Sequence, residues 1–224
     1  MAGGLGANGG EGTVVGMAQS LAQSERQSLC NLLEARGPLA PTLCEGWTTS
    51  DLAAHLFVRE SRPLASPGIV LPPFAHITQR EMEKAKRELG YGGLITRVRS
   101  GPPYPMRLFD AQVNVMEYFV HHEDVRRAEA GWEPRSYADL DAALWRMVQR
   151  LARIMARRLS GAGLELVAPG FGSVVAKAAD PVAVVTGGPQ ELVLLLFGRK
   201  GAVRLEIEGP DAAKAALDSA RLGI

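Results

Sequence analysis

The hydrophobic pattern of this 224-residue chain changes period once, near Ser160, and that change limits the folds open to it. Before it, apolar residues recur at steps of three and four; after it, they alternate in short runs between Gly and Pro. Leu21, Leu29, Leu32 and Leu33 predict a helix from Met17 to about Arg36, closed by Gly37-Pro38. A second helix, in TTSDLAAHLFVRESR, has Thr48 as N-cap with Asp51 as its acidic partner, and Pro63 ends it. A Pro/Gly-rich crossing from Pro63 to Pro73 leads to FAHITQREMEKAKRELG and the shorter GLITRVRSG, whose charges mark an exposed face. The breaker GPPYP precedes MRLFDAQVNVMEYFVHHEDVRRAEA, where Phe109, Val113, Met116 and Val120 form a stripe. A last long helix, YADLDAALWRMVQRLARIMARRL, aligns Leu140, Leu144, Met147, Leu151, Ile154 and Met155. Long helices with no strand signal between them argue for a helical bundle over 17–160.

Beyond Ser160, LELVAPG and SVVAKAA predict strands, PQELVLLLFGR a helix, AVRLEIEG a strand and PDAAKAALDSARL a closing helix. The expected class is therefore α+β. Residues 161–224 are too few to hold a core unaided, so this α/β unit should dock on the bundle and leave a pocket at the junction. Seven of the first 16 residues are glycine, which predicts a flexible leader over 1–16 with Met17 as a candidate start.

With 25 basic and 24 acidic residues the net charge is +1, without the basic field of a nucleic-acid binder. No apolar run reaches the roughly 20 residues that span a bilayer, and the first residues lack the pattern of a secretory signal. The expectation is a cytoplasmic protein with neither nucleic acid nor membrane as partner; a homodimer stays open. Cys30 and Cys44 have no metal or disulfide spacing, and are read as reduced, Cys30 packed in a helix and Cys44 in the following loop.

Two of the four histidines lie side by side in EYFVHHEDVRRA. At about 100° per residue, Glu117 and His121 share a helix face while His122 points away. A glutamate and a histidine one turn apart can bind one cation together. His55, on the inward stripe of the second helix near Leu52 and Leu56, is the best third donor, because an unpaired imidazole there would be costly. The competing reading is a helix-surface pair and a hydrogen-bonded core histidine. Asp124 could fix the His121 tautomer from behind or pair with Arg127 or Arg107. His76 and Glu123 are expected at the surface, His122 either facing outward or joining a polar network, and Arg126 and Arg127 in the favourable cation position at a helix C-terminus.

The segments TLCEGWTTSDLAAHL, NVMEYFVHHEDVRRA and VTGGPQELVLLLFGR resemble the actinobacterial family that contains mycothiol-dependent maleylpyruvate isomerase, and within it a metal-binding subgroup. The resemblance runs over nearly the whole chain after Met17. It implies an N-terminal DinB-like four-helix bundle and a sterol-carrier-like C-terminal module. It also implies a divalent metal, usually zinc, held by His55, Glu117 and His121. Three protein ligands leave tetrahedral zinc one open position, where the family's thiol would be acidified for attack on an electrophile. The implied activity is mycothiol-dependent transfer or isomerisation. A carboxylate-bearing ligand would need a cation, for which Arg59, Arg199 and Arg204 are candidates, Arg199 slightly ahead at the end of ELVLLLFGR, where it can equally be an ordinary helix-end arginine. Residues 60–105 carry no match, so maleylpyruvate is not implied as the substrate. The alternatives are a non-catalytic metal-dependent ligand-binding or regulatory module, and a metal that only clamps the bundle.

Overall fold

The computed structural model describes residues 9–61, 75–101, 111–135 and 137–223. The expectations at Pro63–Pro73, Arg107 and Phe109, and for the Val113 side chain, lie outside the described residues, as does the leader over 1–8. Its class is mixed α+β, with seven helices and a four-stranded sheet among the described residues.

Helix α1 (Gly9–Arg36) begins eight residues before Met17, so 9–16 is helical and not a flexible leader. Adding residues to a formed helix avoids the cost of nucleation, which lets even glycines extend it. Helix α2 (Thr49–Ser61) starts at the predicted box: the Thr48 amide and hydroxyl donate to Asp51 Oδ2 at 2.9 and 2.7 Å, and the Asp51 amide faces Thr48 Oγ1 at 3.5 Å. Because this cap fixes the start of the helix that carries His55, Thr48→Ala should cost about 1 kcal/mol in urea unfolding. Helix α3 (Ala75–Ser100) is two helices joined at Gly90, whose φ of 62° only glycine adopts cheaply, in line with the two predicted segments. Helix α4 (Ala111–Arg126) follows. These four helices enclose one core of Leu29, Leu33, Leu52, Leu56, Met82, Leu94, Ile95 and Tyr118.

Helix α5 (Ala138–Met155) sides with the second half of the chain. Its Leu144, Trp145, Met147 and Val148 join a second core with Phe119 of α4 and with Leu164, Leu166, Ala183, Val185, Leu192 and Leu195. The sheet is built from β1 (Gly163–Ala168), β2 (Gly172–Lys177), β3 (Val182–Thr186) and β4 (Glu206–Glu208) in the order β2-β1-β3-β4. β1 runs antiparallel to β2 and parallel to β3, and β4 antiparallel to β3. Helices α6 (Pro189–Leu196) and α7 (Asp211–Ser219) complete the unit. The strand expected across AVRLEIEG shrinks to Glu206–Glu208, preceded by a 3₁₀ turn at Lys200–Ala202. β3 was not expected, although VAVV between Pro181 and Gly187-Gly188 has the composition of a buried strand.

Candidate metal centre

The site forms where the loop before α2, the middle of α4 and the end of α6 meet. The loop is tied down at both ends: Thr49 N and Ser50 N donate to Ala40 O and Pro38 O at 2.9 and 3.1 Å, and Leu43 N donates to Asp124 O at 3.0 Å. This sets Cys44 and Trp47 beside α4, and the Trp47 ring packs on His55 with centroids 5.0 Å apart. Helix α6 ends in a Schellman turn: Gly198, at φ 82°, donates to Leu195 O and the Arg199 amide reaches back to Leu194 O. That turn aims Arg199 at Asp124.

His55, Glu117 and His121 converge. Glu117 Oε1 lies 3.5 Å from His55 Nε2 and 3.3 Å from His121 Nε2, and the three donor atoms all fall within 4.8 Å of one another. Bonds of about 2.0–2.1 Å to a tetrahedral zinc put neighbouring donors about 3.3 Å apart, so the set fits a small divalent ion. Both histidines and the carboxylate line a cavity of about 870 Å³, with Trp47, Val120, Phe197 and Leu222 as apolar wall. Burial alone would raise the Glu117 carboxyl, but hydrogen bonds from His121 and His55 outweigh it and hold the group well below the usual range. For His55 burial prevails and lowers the imidazole.

Behind the centre, His121 Nδ1 meets Asp124 Oδ2 at 3.0 Å. Asp124 is fully buried and takes Arg199 on both oxygens, Nε to Oδ1 at 2.8 Å and Nη2 to Oδ2 at 2.7 Å. It therefore orients His121 and pairs with Arg199, not with Arg127. Burial opposes its charge, but Arg199 and His121 outweigh that and hold it far below the ordinary carboxylate range. The Cys44 thiol sits 3.2 Å from Asp124 Oδ2 and 3.5 Å from Arg199 Nη2. Cys44, His121 and Asp124 form a second donor cluster, but the Arg199 guanidinium already supplies the cation there. Arg59 Nε lies 3.2 Å from Glu117 Oε1, whereas Arg204 pairs with Glu133 on the surface and is not in the cavity wall.

Glu123 is buried, contrary to the expectation of solvent, and Arg127 and His122 are buried with it, His122 within a polar network, the second of its two expected places. His122 Nδ1 meets Glu25 Oε2 at 3.1 Å, and Arg135 clamps Glu25 through both Nη atoms at 2.8 and 2.9 Å. Glu123 takes Arg126, Arg127 and Arg135, and Arg127 goes on to Glu191 of α6. The far face of α4 is packed against the second core, so its charged groups are paired and not hydrated. His76 is exposed, as expected.

This network has a pH signature. Burial would raise the Glu25 carboxyl, but His122 and Arg135 overcome it and lower the pKa to about 2. A carboxylate depressed in the folded state adds stability in full above its unfolded pKa of about 4.5, and that stability is lost as pH falls toward 2. Glu25→Gln should therefore flatten the acid limb of the unfolding free energy by about 3 kcal/mol, measured by urea titration from about pH 5 downward.

No known sequence family and no curated protein sequence matches the chain. Among solved structures, a helical bundle carrying a small α/β unit of this kind is found in similar form. It is the crystal structure of the mycothiol-dependent maleylpyruvate isomerase, with a TM-score of 0.56 and 17% identity over 87% of this chain and 92% of that one. A histidine-to-alanine mutant of that enzyme aligns with a TM-score of 0.57 and 16% identity, over 88% and 95% of the two chains. The chain thus has the fold of that isomerase.

Among the described residues, no helix is long and apolar enough to cross a membrane.

Proposed function

We propose that the chain is a zinc-dependent enzyme that uses a low-molecular-weight thiol, mycothiol by its fold neighbours, to transfer to or isomerise a small electrophile. The observation that carries this reading is the convergence of His55 Nε2, Glu117 Oε1 and His121 Nε2 on one wall of an 870 Å³ cavity. A metal enclosed by protein on every side would serve structure; one facing a cavity of this size leaves room for two small molecules.

Zinc bound there would supply Lewis acidity that lowers the pKa of a thiol near neutral pH. The rest falls to the chain's own side chains. Asp124 holds His121 in the tautomer that presents Nε2 to the cavity, and Arg199 holds Asp124 ionised. Trp47 fixes the His55 ring from the side. Trp47, Val120, Phe197 and Leu222 exclude water from the electrophile and keep the acidified thiol from being hydrated. Arg199 spends its charged edge on Asp124, so its contact with thiol or substrate is through what remains of the guanidinium. A cytoplasmic setting, where thiols stay reduced, fits this chemistry.

The test is calorimetric titration of mycothiol into zinc-loaded and metal-free protein, followed by turnover with a panel of electrophiles. Binding that needs zinc, with turnover, supports the enzyme. Zinc-dependent binding with no turnover favours a ligand-binding module, and the absence of thiol binding to either form refutes the reading.

A further inference from the structure

We infer that the electrophile taken by this cavity is uncharged and carries a carbonyl or similar oxygen, and is not a dicarboxylate; the inference rests on the thiol-enzyme reading above. Among the described residues, the cavity wall contains one guanidinium group exposed to a ligand, that of Arg199, and it is already committed; the Arg127 side chain is wholly buried, and Arg59, paired with Glu117, does not line the wall. Arg199 gives Nε and Nη2 to Asp124, a further Nη2 contact to Cys44 Sγ, and Nη1 to Phe197 O at 2.6 Å. Arg127 gives Nε to Glu123, both Nη atoms to Glu191, and Nη1 also to Ala202 O at 2.7 Å.

A guanidinium has five N–H donors, and recognition of a carboxylate uses two of them in parallel together with the full charge. Arg199 has one Nη1 N–H left, and its charge is matched by the buried carboxylate of Asp124 in direct contact. A single neutralised N–H suits a carbonyl, ester or amide oxygen. A dianion would have to break the Asp124–Arg199 pair, and with it the support of His121. Of the remaining wall, Leu43, Trp47, Val120, Phe197 and Leu222 offer an apolar surface, and Glu45 adds a carboxylate that an anion would meet at a cost.

The experiment compares dimethyl maleate with maleate, which share a carbon skeleton and differ by two charges. The zinc-loaded protein and mycothiol are used, and each rate is divided by the uncatalysed rate at the same pH. The expected result is a rate enhancement at least tenfold larger for the diester. Equal or larger enhancement for maleate overturns the inference and leaves the thiol enzyme standing. No enhancement for either, with mycothiol still binding by calorimetry, overturns it as well. No enhancement and no thiol binding removes the enzyme reading itself.

Discussion

Purified with Glu117 replaced by alanine, the protein is expected to bind zinc at least a hundredfold more weakly than the wild type. One donor of three is lost, and three-ligand binding energies of roughly 10 kcal/mol make each donor worth about 3 kcal/mol. Competition against a chromophoric chelator, with elemental analysis after gel filtration, reads the loss directly. His121→Ala should behave alike, because both donors come from one turn of α4. His122→Ala is the control that separates the faces. Its ring touches Glu25 across the helix, so the variant should keep its metal and lose about 1–2 kcal/mol of stability. Equal metal loss from His121→Ala and His122→Ala would show that the centre is not on this face.

The largest effect on stability is expected at Glu123, which is fully buried. Its Oε1 accepts from Arg126 at 2.7 Å and Arg135 at 2.8 Å, and its Oε2 accepts from Arg127 at 2.5 Å. Glu123→Ala removes the anion that these guanidinium groups share and leaves buried charge without compensation, at a cost of about 3–5 kcal/mol. Urea unfolding of the metal-loaded protein measures it. Glu133→Ala removes a pair of the same chemistry, with Arg204, from an exposed site where water takes over its role. It should leave the unfolding midpoint where it was, and a matching loss there would mean that burial is not what gives Glu123 its weight.

What could be read from the chain were the features written in local order. The Thr48–Asp51 cap, the break at Gly90, and the shared face of Glu117 and His121 all depend on residues within a turn of one another. Glu123 was misplaced, and His122 was left between solvent and a polar network, because helical spacing orients side chains relative to the helix and says nothing of what packs on each side. Their partners Glu25, Arg135 and, through Arg127, Glu191 lie beyond the helix, 12 residues away in the loop before α5 for Arg135 and more than sixty away in α1 and α6 for the other two. The Asp124–Arg199 pair, separated by 75 residues, was hidden for the same reason, although both residues had been marked individually. β3 failed on length: five residues between a proline and two glycines carry the pattern of a turn as easily as that of a central strand.

Tyr118 belongs to the core shared by the first four helices and Phe119, the next residue, to the core shared with the sheet. Helix α4 is thus a party wall between two interiors, and neither can open without stripping one of its sides. Its amides should exchange with deuterium more slowly than those of any other helix, at a rate set by unfolding of the entire molecule. Glu117 and His121 are therefore carried on the part of the chain that yields last, and the ion they hold would rest on the stiffest support the fold provides.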